Sequence, residues 1–174
     1  MRYADFYECD ICNGNEVGLS LFVQGCHFHC KDCFNPETWD FSGGKLWTEK
    51  TEEEFFRLIN REYIHRISFL GGSPLCDENI AEVSRIIQKI KYLYPDKKIW
   101  VYTGYKWEYI NSDQQLNKES SFRKQVLSFI DVLVDGQYEC DKRDLSLAFR
   151  GSLNQRIIDV KETIKKGDIV LWNT

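Results

Sequence analysis

The 174-residue sequence is 43% hydrophobic and 29% charged, which supplies a sizeable core and argues against a disordered chain. Its formal net charge of −4 speaks against bulk nucleic-acid binding, and no stretch approaches the ~18 apolar residues of a membrane span. An odd count of seven cysteines, behind an opening with no secretory pattern, leads us to expect a cytoplasmic chain using thiols for metal or redox chemistry, with no disulfide framework.

Residues 1–16 are polar and turn-rich, and are expected to form an N-terminal extension packed on a single domain spanning 1–174. They contain the pair Cys9-x2-Cys12, read as two ordinary thiols because no second pair follows at zinc spacing. Residues 17–23 form a β-rich apolar run that ends at Gly25 and predicts a first buried strand. A loop follows with Cys26, Cys30 and Cys33 in C-x3-C-x2-C spacing. Thr51 to Glu54 has the pattern of a capping box, opening a helix whose apolar stripe is Phe55, Phe56, Leu58 and Ile59.

Residues 66–70 predict a second strand, stopped by Gly71-Gly72-Ser73-Pro74. Asp77 is placed to cap a helix, in which Ile80, Val83, Ile86, Ile87, Ile90 and Leu93 recur at spacings of three and four up to Pro95. A third strand is expected over 99–102, ending at Thr103-Gly104. An irregular helical stretch, interrupted by polar residues at about 111–121, then runs to Ile130. A fourth strand covers 131–136, a polar loop covers 137–155, and 156–160 and 169–172 are the fifth and sixth candidates. Strand alternating with helix predicts a parallel α/β sheet. Eight βα units need at least about 200 residues, so the expectation is an open, partial (β/α) barrel of five or six parallel strands, or a flat doubly wound sheet.

On that scaffold the cysteine loop, Gly71-Gly72-Ser73, Thr103-Gly104 and Asp135-Gly136 all fall at C-terminal strand ends, where such sheets bind ligands. Three cysteines are one short of a closed zinc site. In an iron–sulfur cluster they would leave one iron open to an outside ligand. A zinc site completed by His27 or His29, and a loop with no metal, stay open on the spacing alone.

The triplet after a first strand and the Gly-Gly after the second resemble the radical S-adenosylmethionine superfamily. The blocks Gly25 to Trp39, Phe69 to Leu75, Val101 to Glu108, Asp131 to Gly136 and Phe149 to Asp159 are together similar to the anaerobic ribonucleoside-triphosphate reductase activating proteins. Two positions depart from the superfamily pattern. Asp32 stands where an aromatic residue is usual before the third cysteine, and Ser73 stands where an acid commonly follows the glycines.

The resemblance implies a radical SAM-type open barrel and a glycyl-radical-generating oxidoreductase. Cys26, Cys30 and Cys33 would hold a [4Fe-4S] cluster whose open iron takes S-adenosylmethionine. Reductive cleavage would yield a 5′-deoxyadenosyl radical that removes hydrogen from a glycine of an anaerobic ribonucleoside-triphosphate reductase. Asp32, Cys33 and Phe34 would border the adenosyl group, Gly71, Gly72 and Ser73 the methionyl amino end, and Thr103 and Asp135 the methionine or ribose. A low-potential donor such as flavodoxin or ferredoxin is implied, and neither nucleic acid nor membrane. The alternatives are an activase of another glycyl-radical enzyme, a small radical synthase, and a zinc-binding interaction module. His27, His29 and His65 are read as ordinary polar sites and Cys76 as a buried thiol. The loop 139–149 is read as either a partner-docking surface or a plain surface loop.

Overall fold

The computed structural model describes residues 1–112 and 117–173. The apolar runs form strands β2 (Gly18–Val23), β4 (Arg66–Gly71), β5 (Lys98–Tyr102) and β6 (Val132–Asp135), with β1 (Arg2–Asp10), β3 (Lys45–Leu46) and β7 (Arg156–Asp159) added around them. Helices α1 (Glu49–Ile59), α2 (Asp77–Leu93), α3 (Trp107–Ile110), α4 (Lys118–Val126) and α5 (Val160–Lys166) connect or follow the strands. The seven strands make one sheet in the order β3-β1-β2-β4-β5-β6-β7. The pairs β2–β4, β4–β5 and β5–β6 are parallel, while β1–β3, β1–β2 and β6–β7 are antiparallel.

The architecture is therefore mixed α/β with a parallel centre, and its terminal strands β3 and β7 do not meet. The expected five or six parallel strands are four. Strand β7 follows β6 through a loop with no crossover α-helix, and such a return pairs antiparallel. The sixth candidate, 169–172, contributes one isolated bridge, Ile158 to Leu171. The opening residues, read as a turn-rich extension, supply strand β1. Its apolar Tyr3 and Phe6 are separated by Ala4 and Asp5, with no sustained alternation, and its register against β2 is broken twice.

Helix α1 begins one turn earlier than the capping pattern placed it. Thr48 is the N-cap and accepts from the Thr51 N–H. Cys76, with no capping bond from its side chain, precedes α2, and Asp77 is the first helical residue. The polar interruption expected around 111–121 lies partly outside the described residues.

Because strand side chains alternate, each central strand sends one set to each face. Leu19, Leu21, Val23, Ile67, Phe69, Ile99, Val101, Leu133 and Ile158 share one core with the buried faces of α1, α2 and α4 and with Val160 of α5. The other face carries Gly18, Ser20, Phe22, Arg66, Ser68, Leu70, Trp100, Tyr102, Val132 and Val134, packed with Ile157 and Phe149. The helices thus cover one face of the sheet, which excludes the doubly wound alternative. The opposite face holds a cleft at the C-terminal strand ends.

Candidate functional site

The floor of the cleft rests on an unusual buried charge. Arg66, at the start of β4, is fully buried and donates to the carbonyls of Asp10 at 2.7 Å, Asn13 at 2.6 Å and Asn15 at 3.0 Å. Its ion-pair partner Asp10 lies 3.7 Å away. Burial pushes the Arg66 pKa down, against the pull of Asp10. Burial would raise the Asp10 carboxyl, but hydrogen bonds from Ser20, the Cys12 N–H and Asn13 outweigh it and hold the group below its ordinary value. This network fixes the β1–β2 turn and carries Cys12 and Asn13 to one wall of the cleft.

The cysteine loop is suspended from backbone. The Gly25 N–H donates to the Thr38 carbonyl at 2.8 Å and the Cys26 N–H to the Trp39 carbonyl at 3.1 Å. The Ser73 N–H donates to the Gly25 carbonyl at 2.8 Å and the Gly72 N–H to the Val23 carbonyl at 2.9 Å. A Cβ on Gly72 would come within 2.5 Å of the Gly25 oxygen, so this approach requires glycine. Phe28 lies over Gly104, where a Cβ would come within 2.6 Å of its ring, and packs edge-on against Tyr105. Phe34 packs against Tyr138 and Gly151, with the Arg143 guanidinium 5.2 Å from its ring centre.

Between these walls is a cleft of about 570 Å³, a size suited to one small organic ligand. Cys26, Cys30, Cys33, Phe34, Gly71, Gly72, Ser73 and Thr103 all line it. Asp32 and Asp135 do not line it. Asp32 is exposed, with φ of 56°, and turns the chain between Cys30 and Cys33, a conformation aspartate tolerates. Asp135 is buried behind the rim. It accepts from the Trp107 N–H at 2.7 Å and pairs with Arg156, which also binds Glu108.

Sequence reasoning did not assign the wall formed by the 137–155 loop. Tyr138, Leu145, Leu147, Phe149, Arg150 and Gln155 all face the cleft. Gln155 ties this wall together: its Oε1 accepts from the Gly151 N–H at 2.9 Å and the Ser152 N–H at 3.2 Å, and its Nε2 donates to the Gly136 carbonyl at 3.1 Å. The available signal was the density of glycine and amide residues from Gly151 to Gln155 just before a strand.

The three loop thiols are half-buried on the cleft wall. Burial raises the pKa of Cys26 and Cys30, while N–H groups of Phe28 and His29 at Cys26, and of Tyr138 at Cys30, act the other way. The Asn35 N–H lies 3.4 Å from the Cys33 sulfur. Backbone N–H groups directed at sulfur suit thiolates that carry a cluster. Among the described residues, no three His, Cys, Asp or Glu side chains converge as ligands of a single ion. Thiolates of a cluster bind separate irons and need no such convergence. The buried hydroxyls of Ser73, Tyr102 and Tyr138 have no partner and lie along the same cleft, as a polar organic ligand requires.

A family model described as "4Fe-4S single cluster domain" matches residues 12–158. Three relatives carry the name anaerobic ribonucleoside-triphosphate reductase-activating protein. That of Pasteurella multocida is 37% identical, covering 90% of this chain and 96% of the relative. That of Salmonella typhimurium is 39% identical, covering 89% and 96%. That of the enterobacteria phage T4 is 36% identical, covering 97% and 100%. The cysteine loop, the glycine turn and the 137–155 wall all fall within the matched region. The chain belongs to the anaerobic ribonucleoside-triphosphate reductase-activating proteins and carries their 4Fe-4S single cluster domain.

Proposed function

We propose that this protein is a radical S-adenosylmethionine activase that installs a glycyl radical on an anaerobic ribonucleoside-triphosphate reductase. The observation that carries the reading is the cysteine triplet on the wall of a ligand-sized cleft, beside unpartnered hydroxyls. Cys26, Cys30 and Cys33 hold the [4Fe-4S] cluster, leaving one iron without a thiolate. When bound, the cluster and S-adenosylmethionine supply the reducing electron and the hydrogen-abstracting group.

The chain's own residues bind and orient. Gly71 and Gly72 offer backbone groups to the methionyl end, Ser73 a hydroxyl, and Thr103 a further hydroxyl from the β5 end. Cys33 and Phe34 border the adenosyl group. Asp32 and Asp135 are left out, because one turns the backbone and the other is saturated by Arg156 and Trp107. We read the one-sided, unclosed sheet as an open partial barrel of radical SAM type and the chain as one domain in which residues 1–16 supply strand β1. The open mouth suits a partner's polypeptide segment better than a free small molecule. A cytoplasmic setting and a low-potential electron donor such as flavodoxin or ferredoxin complete the proposal.

The test is anaerobic reconstitution followed by mixing with S-adenosylmethionine, a reductant and the reductase. We expect about four irons and four sulfides per chain and a glycyl radical signal on the reductase. Cys30→Ala should abolish both the intact cluster and cleavage of S-adenosylmethionine. Stoichiometric zinc with no iron uptake would sink the proposal, and a radical only on a different glycyl-radical enzyme would redirect it.

A further inference from the structure

The two edges of the sheet differ. Along β7 the C-terminal segment closes the edge: the Asp159 N–H donates to the Val170 carbonyl at 2.9 Å and the Trp172 N–H to the Ile157 carbonyl at 2.8 Å. At the opposite edge, β3 pairs with β1 only at Arg2 and Tyr3. Among the described residues, no segment pairs with the outer side of β1 over residues 4–9. An open strand edge presents its N–H and C=O groups as a template for another chain.

The flanks of this edge carry exposed apolar side chains. Tyr7 on β1, Ile11 just beyond it and Leu46 on β3 are each more than half exposed. The strand has acids at Asp5 and Glu8 and no cation past Arg2. Lys45 and Arg61 pair with these acids at the surface, where such pairs are weak and an incoming cation can replace them. A second copy pairing antiparallel about the midpoint of Phe6 and Tyr7 would set Asp5 against Glu8, and like charges opposed in a ladder destabilise it. An extended segment carrying lysine or arginine meets no such cost. Tyr7 also lines the cleft, so a strand added here lies beside the site of chemistry.

We propose that the open edge of β1, residues 4–9, is a docking site that takes an extended, basic segment of the reductase as an additional strand of the sheet. The inference rests on the reading of the chain as an activase of that partner and adds where the partner is held. Main-chain hydrogen bonds supply the hold, and Asp5 and Glu8 select the cationic side chains. An anchor at this edge leaves the cleft free to receive the separate segment that carries the target glycine.

The test follows amide hydrogen exchange of the cluster-loaded protein under anaerobic conditions, alone and with excess reductase. Residues 4–9 should exchange about tenfold more slowly, or slower still, in the complex. The double variant Asp5→Lys, Glu8→Lys should weaken the complex about tenfold, while cleavage of S-adenosylmethionine by the isolated protein stays within about twofold. The exchange is read on the wild-type chain, so it decides the matter if the double variant does not fold. Protection confined to the cysteine loop and the 137–155 wall overturns the proposal. So does protection of residues 4–9 that appears without reductase and grows with the protein's own concentration, which gives the edge to a second copy. A folded double variant that binds the reductase as tightly as wild type also overturns it. Reductase that protects residues 4–9 yet gains no glycyl radical would instead overturn the activase reading and leave the docking edge standing.

Discussion

Gly18 and Arg66 face each other across the parallel β2–β4 pair, and a Cβ on Gly18 would sit 2.6 Å from the Cζ of Arg66. A surface arginine would swing away from such a methyl group. Arg66 is pinned by the carbonyls of Asp10, Asn13 and Asn15, so its displacement strands a buried charge. Gly18→Ala should therefore cost about 3 kcal/mol of stability, read as a lower denaturant midpoint, and should loosen the β1–β2 turn beside the cleft.

The contact between Gly72 and the Gly25 carbonyl is backbone against backbone, and neither side can rotate out of the way. Gly72→Ala should push the cysteine loop off the glycine turn. We expect iron content after anaerobic reconstitution to fall well below wild type while far-ultraviolet circular dichroism keeps its amplitude. Full iron content in this variant would show that the loop is held from elsewhere.

Asp135 separates structural from ligand roles. It anchors the start of α3 through the Trp107 N–H and closes a pair with Arg156. Asp135→Asn should leave the Arg156 charge half-compensated and lower the melting temperature by several degrees, for about 2–3 kcal/mol. Affinity for S-adenosylmethionine should remain within about twofold, since the side chain does not face the cleft. A large affinity loss without a stability loss would restore it as a ligand contact.

An acid limb in the stability profile should come from Glu52. Burial would raise its carboxyl, but hydrogen bonds from Arg85, Lys89 and the Trp47 indole prevail and hold it at about 2. The folded-state value lies below the ordinary 4.5, so this stabilisation is fully present above about pH 4.5 and is lost as pH falls toward 2. Arg85 and Lys89 are half-exposed, so screening limits the effect to about 2 kcal/mol. Glu52→Gln should flatten the limb between those pH values in chemical denaturation.

At the cleft mouth, Leu145 is 77% exposed on the 137–155 wall. Leu145→Asp should leave cleavage of S-adenosylmethionine by the isolated protein within about twofold and reduce transfer of the radical to the reductase. Comparing the two yields in one preparation checks this directly.

The residues that announce themselves in sequence are those whose chemistry is local. Cys26, Cys30 and Cys33 mark a candidate metal loop by their spacing. Gly71 and Gly72 mark a strand end that must pass close to backbone. Strand β1 was not legible, because Tyr3 and Phe6 find their apolar surroundings in partners from distant parts of the chain, Trp47 and Phe55 among them. The same holds for Arg150, Gln155 and Tyr138. Their loop is polar and carries little regular structure, and it becomes a wall only where Phe34, Trp100 and Gly136 receive it. Asp135 misled for the converse reason: its place at a strand end resembled a ligand position, while Arg156, 21 residues later, had already claimed it.

The cleft draws one side from residues 7–13 and another from residues 137–155. On the ribosome the cysteine loop emerges early, yet the Tyr138 N–H that reaches Cys30 and the Phe34–Gly151 contact must wait for the late segment. A chain halted before residue 151 would therefore lack both contacts, and its cysteine loop would be expected to lie more open to oxidants than that of the complete fold.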